Sequence, residues 1–274
     1  MLSAIVALVV IWSTVLTAGD KSDELVVAFL DIGQGDSIFI QSPSGEQMLI
    51  DGGRDGKVLR ELAKVMPFYD HHIDVVLATH PDADHIGGLI NVLKRYDVDY
   101  IFRPGVQSDT PATESLLKLI AGDKAKEVLA RRGMVIDLGA GVFVEILFPD
   151  RDASSFDTNI ASIVVRLTYG ETSFLLTGDA PIAIEKYLVS LDGHRLHSNV
   201  LKLGHHGSKT SSSDLFLGFV DPEYAVISAG KDNGYGHPNN EVLDRLERFN
   251  IKTLSTITHG TTIFKTDGTT LRVN

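Results

Sequence analysis

The ten residues from Thr79 to Gly88, THPDADHIGG, constrain this chain more than any other segment. They follow the apolar run VVLA, which is typical of a buried strand. Imidazole and carboxylate side chains are the ligands of hydrolytic Zn and Mn centres. A strand that ends in this loop would bring four such side chains to one point, so the segment predicts a metal site. The four candidate ligands are His80, Asp82, Asp84 and His85.

The composition is that of one large globular domain. The chain has 274 residues, of which 43% are hydrophobic and 22% are charged, and no linker-like segment divides it. It contains no cysteine, so any metal must be held by nitrogen and oxygen ligands. The formal net charge of −11 argues against a broad basic face that binds nucleic acid.

The first 19 residues, MLSAIVALVVIWSTVLTAG, contain no charged side chain. As a helix they would span about 28 Å, just enough for one membrane crossing. A signal peptide is the alternative, although no Lys or Arg precedes the apolar run and Leu16-Thr17-Ala18 is a mediocre cleavage site. Either interpretation of residues 1–19 places the rest of the chain outside the cytoplasm, membrane-anchored or secreted.

Strands and helices alternate from Leu25 to the C-terminus. Periodicity predicts a hairpin through Gly33-Gln34-Gly35 and a second hairpin formed by the last segments, TLSTITHG and TIFKTDG. It also predicts helices over residues 57–65, 85–96, 181–191 and 238–249. Strand-rich halves with interspersed helices predict an α/β fold of two packed sheets flanked by helices.

Further candidate ligands stand where strands of the second half end. Asp179 follows LLTG, His205 and His206 follow VLKLG, and His237 follows another strand and loop. Asp179 has a second interpretation as the N-cap of the next helix, and the two roles are compatible. Because adjacent histidines point in different directions, we expect one of His205 and His206 to bind metal and the other to lie beside the substrate. Asn159 stands ahead of the strand SIVVRL.

Together these motifs resemble a known family. HPDADH is similar to the HxHxDH signature of the metallo-β-lactamase superfamily, with Asp82 in place of its second histidine. LDIGQGDS, IDGG, LLTGDA, LKLGHHGSKTS and GHPNNEVL are similar to the metallohydrolase domain of ComEC-type DNA-internalisation proteins. The resemblance covers residues 25–274 as one hydrolase domain. It implies an αββα sandwich with two divalent metal ions, Zn or Mn, in a cleft between the sheet edges.

By position, the resemblance divides the first motif between two metals. It implies that His80 and Asp82 serve one metal, while Asp84 and His85 serve the other. Asp84 would also orient the attacking hydroxide. Because Asp82 replaces a histidine, the first site would be richer in oxygen, which tilts its selectivity from Zn towards Mn.

The same resemblance supplies the remaining site residues. Asp179 would bridge the metals, with His205 or His206 completing a site. Asn159 falls near the place where many family members have another histidine, so it would make the first site still poorer in imidazole. His237 matches a place near the substrate, where it would act as a ligand, a phosphate binder or a general acid.

Three polar residues outside this set have supporting roles in the prediction. Asp36 and Asp51 are expected to accept hydrogen bonds from the ligand histidines and so to fix their tautomers. Lys209, in GHHGSK, is a candidate for a phosphate contact, and a solvent-exposed lysine is an equally compatible interpretation.

Three functional classes remain. The first is an extracytoplasmic metal-dependent phosphodiesterase or nuclease that acts on DNA. The second is a secreted metallo-esterase on another phosphodiester, such as teichoic-acid phosphorylcholine, or a β-lactamase, which the missing second histidine disfavours. The third is a non-catalytic partner of a separate membrane channel in DNA uptake, since in the large competence proteins such a domain lies next to a polytopic channel. The intact set of acidic and histidine ligands argues against a non-catalytic protein.

Overall fold

Two β-sheets form the inner layers of the molecule, for which a computed structural model describes residues 23–122 and 125–274. In chain order, the strands of these residues are β1 (Leu25–Phe29), β2 (Ile38–Gln41), β3 (Gln47–Ile50), β4 (His72–Leu77), β5 (Asp97–Arg103), β6 (Lys126–Leu129), β7 (Val135–Asp137), β8 (Val142–Phe148), β9 (Val164–Tyr169), β10 (Thr172–Leu176), β11 (Val200–Lys202), β12 (Tyr224–Ile227), β13 (Lys252–Ser255), β14 (Thr262–Thr266) and β15 (Leu271–Val273). The first sheet has eight strands in the order β15-β14-β1-β2-β3-β4-β5-β6. The second has seven in the order β13-β12-β11-β10-β9-β8-β7.

Helices cover the outer faces of both sheets. In the described residues the α-helices are α1 (Lys57–Val65), α2 (Ala83–Ile86), α3 (Leu89–Val92), α4 (Pro111–Gly122), α5 (Ile182–Asp192), α6 (Asp214–Val220), α7 (Asn240–Arg248) and α8 (Thr256–His259). Helices α1 to α4 pack on the first sheet, and α5 to α7 pack on the second. The layers follow one another as helix, sheet, sheet, helix, so the predicted αββα sandwich is confirmed.

The predicted membrane anchor or signal peptide, residues 1–19, lies outside the described residues. Among the helices of residues 23–122 and 125–274, none combines the length and the apolar character that a bilayer crossing requires.

Alternation along the strands builds the apolar layers. In β1, Val27 and Phe29 pack between the two sheets, while Ala28 packs under the helices of the first sheet. In β10, Phe174 packs between the sheets, while Leu175 packs under the helices of the second sheet. Successive side chains of a strand point to opposite faces, and both faces of these strands are covered. The sequences LVVAF and TSFLL are therefore nearly continuous apolar runs.

Strand direction brings the loops of both sheets to one edge of the sandwich. The strands β3 to β6 are mutually parallel, and so are β10 to β13. Parallel strands end at the same edge of their sheet, which is where open α/β sheets place their sites. The Ile163 N–H, just before β9, donates a hydrogen bond to the Thr79 carbonyl oxygen over 3.0 Å. This bond joins the two edges directly.

The helix predicted over residues 85–96 is interrupted. The chain forms two short helices, α2 and α3, separated by Gly87 and Gly88. A Cβ on Gly87 would lie 2.1 Å from the Arg54 carbonyl oxygen, and one on Gly88 would lie 1.9 Å from that of Gly52. Close packing against this backbone breaks the helix, which periodicity alone did not indicate. The predicted apolar side is nevertheless buried, at Ile86, Leu89, Val92 and Leu93.

Two predictions for the C-terminal region need correction. Helix α7 begins at Asn240 rather than at Pro238, because the Asn239 side chain caps it by accepting a hydrogen bond from the Glu241 N–H. The predicted closing hairpin is wrong. Strand β13 pairs with β12 in the second sheet, and β14 pairs with β1 in the first. Helix α8 stands between β13 and β14, where a hairpin would need a tight turn.

A buried ion pair connects the two sheets beside the site. Lys202, at the end of β11, lies with its Nζ atom 2.8 Å from Oδ2 of Asp36, which stands in the β1–β2 connection. Their side chains are 0% and 2% exposed. Lys202 Nζ also donates to the Leu203 carbonyl oxygen over 2.9 Å. A lysine and an aspartate in this environment depend on one another, because either charge alone would be buried without compensation.

We expect Lys202→Met to lower the free energy of unfolding by about 3–5 kcal/mol, because it leaves the Asp36 carboxylate buried without its partner. Urea denaturation of the metal-free protein measures this change. Arg195→Ala is the control, since the exposed Arg195 lies 3.7 Å from the half-buried Glu145 and loss of this solvent-accessible pair should cost no more than about 1 kcal/mol. Equal, small effects of the two variants would contradict the role given to the buried pair.

Candidate metal centre

Asp179 stands at the centre of four imidazoles. Its Oδ2 atom lies 3.7 Å from His80 Nε2, 3.4 Å from His85 Nε2 and 3.6 Å from His206 Nε2. The Nε2 atom of His205 lies 3.8 Å from the same oxygen. The structure thus brings together candidate ligands that are distant in the sequence, since His80 and His206 are 126 positions apart.

These separations have the length expected between ligands of a shared ion. Hydrogen bonds to nitrogen usually measure about 2.7–3.2 Å between heavy atoms. Imidazole nitrogen and carboxylate oxygen bind Zn at about 2.0–2.2 Å, so two ligands of a tetrahedral ion stand about 3.4 Å apart. The distances around Asp179 match the second spacing better than the first. The residues present therefore fit a divalent metal.

The imidazole nitrogens of the cluster support the same interpretation. The Nε2 atoms of His80, His85 and His206 are buried and make no hydrogen bond within the described residues. Buried polar atoms are normally satisfied, so three orphaned nitrogens that face one carboxylate call for a common partner. A divalent cation is the partner that suits neutral imidazole and carboxylate together.

The first motif is delivered by the end of β4 and by α2. Asp82 occupies the N-cap position of α2 but makes no capping hydrogen bond, and its Oδ2 atom lies 3.7 Å from His80 Nε2. Asp84 lies in the first turn of α2, with Oδ2 3.5 Å from His206 Nε2. The spacing of the motif thus places all four side chains on the cluster: Asp82 beside His80, and Asp84 opposite His206.

Asp179 reaches the cluster through a tight turn after β10. Gly178 has φ +50°, and a Cβ there would lie 3.1 Å from that of Thr79, so the two sheet edges meet closely at this point. The Asp179 N–H donates to Ser162 Oγ over 3.2 Å. The alternative role of Asp179 as a helix N-cap is wrong, because Pro181 occupies that position and makes no side-chain capping bond.

The adjacent histidines both reach Asp179, contrary to the expectation that their side chains would diverge. His205 and His206 have φ values of 50° and 56°, in the left-handed region that non-glycine residues rarely adopt. Two consecutive residues in this conformation turn the backbone so that both Nε2 atoms face one carboxylate. Such backbone strain is concentrated at functional sites.

The predicted carboxylate partners of the histidines are present. Asp51 Oδ2 lies 2.7 Å from His85 Nδ1, and both side chains are fully buried. Asp36 Oδ1 lies 3.2 Å from His206 Nδ1, although the Ser228 carbonyl oxygen is closer to that nitrogen, at 2.9 Å. In both histidines these contacts leave Nε2 to face Asp179, which is how outer partners orient metal ligands.

Asp36 also belongs to a buried group of candidate ligand atoms that lie within 4.8 Å of one another, with His85, Asp179 and His206. We nevertheless assign it an orienting role, because its Oδ2 atom is occupied by Lys202. Burial raises the pKa of Asp36, but Lys202 and His206 outweigh this and lower it to about 2. Asp36 is therefore a carboxylate at neutral pH.

The pKa values of the three buried histidines are set by burial and by the charged groups around them. Burial and the neighbouring His85 lower the pKa of His80 to about 4, so His80 is neutral at pH 7. Burial opposes the charge of His206 as well, but Asp179 and Asp36 raise its pKa to about 9. Asp179 and Asp51 likewise outweigh burial and raise the pKa of His85. Because an imidazole must be neutral to bind a metal, a bound cation would replace these protons.

Two predicted residues stand at the margin of the cluster. The Asn159 Oδ1 atom is buried without a hydrogen bond within the described residues, and the Asn159 carbonyl oxygen accepts from the Ser162 N–H. No contact places the Asn159 side chain on Asp179, so its role as a ligand stays a prediction. His237 lies closer, with its ring centroid 5.3 Å from that of His205. Burial, His205 and His206 lower the pKa of His237.

Sequence reasoning missed two supporting residues. Lys202 carried a signal, because a lysine between Leu201 and Leu203 interrupts an otherwise apolar strand. Thr79 carried none. Its Oγ1 atom donates to Asp51 Oδ2 over 2.6 Å and lies 3.0 Å from His80 Nδ1. Thr79 therefore connects His80 with Asp51, the carboxylate partner of His85. Lys209 is exposed, as the solvent-exposed alternative expects, and no contact joins it to the cluster.

Comparison with known proteins agrees with the fold and the motifs. The model of the metallo-beta-lactamase superfamily matches residues 30–128. Among solved structures, the metallo-beta-lactamase fold protein YhfI from Bacillus subtilis superimposes with a TM-score of 0.57 at 14% identity, covering 85% of this chain and 96% of YhfI. At this identity the similarity concerns the fold alone.

Two curated relatives are more similar in sequence. ComE operon protein 3 of Bacillus subtilis is 32% identical over 257 residues, which are 88% of this chain and 33% of the relative. Competence protein ComA of Neisseria gonorrhoeae is 33% identical over 257 residues, which are 89% of this chain and 34% of the relative. The chain therefore spans about a third of the length of these relatives.

We expect the reconstituted protein to bind about two divalent ions per chain, as paired hydrolytic centres do. Asp84→Ala should remove one of them, because it deletes a carboxylate from the cluster while the circular dichroism spectrum stays that of a folded protein. Elemental analysis after dialysis against Zn or Mn measures the stoichiometry. His71→Ala is the control, since His71 is exposed at the opposite edge, before β4. Wild-type protein without bound metal after reconstitution would overturn the assignment.

Proposed function

Because this chain belongs to the metallo-β-lactamase superfamily and is similar over most of its length to ComEC-type competence proteins, we propose that it is an extracytoplasmic, binuclear metal-dependent phosphodiesterase that acts on DNA. The observation that carries the hydrolase part of this proposal is the convergence of four imidazole nitrogens on the Asp179 carboxylate. Burial of imidazole nitrogens without hydrogen-bond partners is costly, so the cluster argues for a metal-binding role and against a protein without one.

The ligand set divides naturally between two ions. His80 and Asp82 would hold one, while Asp84 and His85 would hold the other together with His206, whose Nε2 atom lies 3.5 Å from Asp84. Asp179 would be shared. When bound, such a pair supplies a water of lowered pKa and a clamp for phosphoryl oxygens.

The protein's own residues then position the reaction. Burial raises the pKa of Asp84, but the neighbouring His206 and His85 hold it below its usual range, so Asp84 remains an ionised carboxylate that can accept a hydrogen bond from the attacking water and orient it. His237 has a buried Nδ1 atom without a hydrogen bond in the described residues and lies beside His205. We assign it to the substrate, where it donates a hydrogen bond to a phosphoryl or leaving oxygen.

The chemistry of the ligands favours a phosphodiester over a lactam. The cluster contains three carboxylates, of Asp82, Asp84 and Asp179, and oxygen ligands favour the harder cations that suit phosphoryl oxygen. The name of one relative, competence protein ComA, connects it with competence, and together with the ComEC-like motifs this supports DNA as the source of the phosphodiester. The net charge of −11 confines DNA binding to the cleft, where bound cations reverse the local sign.

We expect His237→Ala to reduce kcat on bis-p-nitrophenyl phosphate and single-stranded DNA by about 10²–10³-fold, as loss of one hydrogen-bond donor to a developing negative charge does, with nearly unchanged metal content. Parallel assays with nitrocefin and with a phosphorylcholine ester test the substrate class. His71→Ala should behave as wild type. Loss of one metal from His237→Ala would make His237 a ligand instead. If the wild type hydrolyses nitrocefin but no phosphodiester, the substrate class is wrong, and if it hydrolyses the choline ester but not DNA, DNA is refuted as the substrate.

The uncharged segment of residues 1–19 is the basis of the proposed location. We expect the protein to fractionate with the membrane and protease added to intact cells to digest the residues that follow Asp20. A cytoplasmic protein of known location is the control for cell integrity. Detection of the shortened, mature chain in the medium would identify a signal peptide, and full-length protein in the soluble cytoplasm would contradict the placement.

A further inference from the structure

An exposed aromatic side chain lies next to the metal centre, in the loop of residues 230–237 between β12 and α7. Tyr235 is 63% exposed to solvent. Its ring is nearly parallel to that of His237, with an interplanar angle of 22° and centroids 5.9 Å apart. The His237 ring in turn lies 5.3 Å from that of His205. A continuous series of rings therefore leads from solvent to Asp179.

The loop that presents Tyr235 is held rigidly by one side chain. Asn233 Oδ1 accepts hydrogen bonds from the Tyr235 N–H over 3.2 Å and from the His237 N–H over 3.0 Å. Asn233 Nδ2 donates to the carbonyl oxygens of Gly230 and His237, over 2.7 Å and 2.6 Å. All four polar contacts of one amide are internal to the loop. The backbone that carries the Tyr235 side chain is thus fixed, which reduces the conformational entropy that is lost when a ligand binds.

The base of the loop is tied to the other half of the molecule. The Gly230 N–H donates to Gln34 Oε1 over 3.2 Å, and a Cβ on Gly230 would lie 2.9 Å from the Gln34 nitrogen. Gln34 belongs to the β1–β2 connection, which also carries Asp36. The loop is therefore positioned relative to both sheet edges that build the metal centre.

We infer that Tyr235 is a stacking platform for a nucleobase of single-stranded nucleic acid, placed so that an adjacent phosphodiester reaches the metal centre. This inference rests on the proposed function, because it specifies the substrate of the same site. Stacking of a base on an aromatic side chain does not require sequence recognition. In a duplex both faces of an internal base are covered by its neighbours, so the platform selects unpaired or terminal bases.

The charge of the chain makes such a platform necessary. Proteins that bind single strands usually combine stacking with a basic groove. Here the net charge is −11, and residues 230–237 contain one exposed lysine, Lys231, that could contact a phosphate. Affinity for the strand must therefore come largely from stacking and from the metal centre.

The test compares two single-stranded oligonucleotides of twelve nucleotides. One contains thymidine throughout, and the other has the same phosphodiester backbone but a tetrahydrofuran abasic site at each position. With Mn-reconstituted full-length protein, we expect Tyr235→Ala to raise KM for the thymidine oligomer by about 5–150-fold, which corresponds to the stacking of one base. The ratio of the KM values for abasic and thymidine oligomers should fall towards one. Tyr235→Phe should retain the wild-type ratio, because it keeps the ring.

Tyr69→Ala is the matched control, since Tyr69 is also 63% exposed but lies before β4, at the opposite edge. It should leave the KM ratio unchanged. A Tyr235→Ala variant with an unchanged ratio, or with a fall in kcat and no change in KM, would overturn the inference.

A second readout separates this inference from the proposed function. Fluorescence anisotropy of the labelled oligomers with EDTA-treated protein measures binding without hydrolysis. If the wild type cleaves no phosphodiester but binds the thymidine oligomer more tightly than the abasic one through Tyr235, the proposed activity is wrong and the platform stands. If the wild type cleaves both oligomers and binds them equally, the activity stands and the platform is wrong.

Discussion

The ion pair of Lys202 and Asp36 is the constraint on which the rest of the site depends. It joins a strand of the second sheet to a connection of the first, and both side chains are buried. A buried pair of this kind contributes little net stability compared with apolar packing, but removal of one partner is costly. The pair therefore favours the one docking of the two sheets in which Lys202 meets Asp36. Asp36 then contacts His206, so the same pair aligns a candidate ligand.

The metal centre is consequently a property of the interface between the sheets. His80 and His85 come from the first sheet, and Asp179 and His206 come from the second. Their carboxylates and imidazoles can gather around a cation only if the two edges are docked. A metal bound there would therefore be thermodynamically linked to docking of the sheets, and each would stabilise the other.

Charge explains how an acidic chain can serve an anionic substrate. The candidate centre concentrates carboxylates where divalent ions would reverse the local sign, and the net charge of −11 argues against a broad basic groove. Recognition then depends on the cleft and its borders. The loop that carries Tyr235 and His237 is the border where aromatic rings and a fixed backbone coincide.

Much of the site was predictable because its residues are close in sequence or follow strands. The motif at His80 to His85 indicated metal ligands by its spacing, and apolar alternation indicated two sheets flanked by helices. The break at Gly87-Gly88 and the separation of β13 and β14 into different sheets were not predictable, since they depend on packing against segments distant in sequence.

The sequence by itself determined the types of ligand, their order and the strands that carry them. Only the tertiary structure decided that His205 and His206 both face Asp179, because this follows from two left-handed residues that periodicity does not reveal. The pairing of Lys202 with Asp36 was likewise decided by the tertiary structure alone. That pair is 166 positions apart, and its energy arises from burial, a property that no local pattern of residues contains.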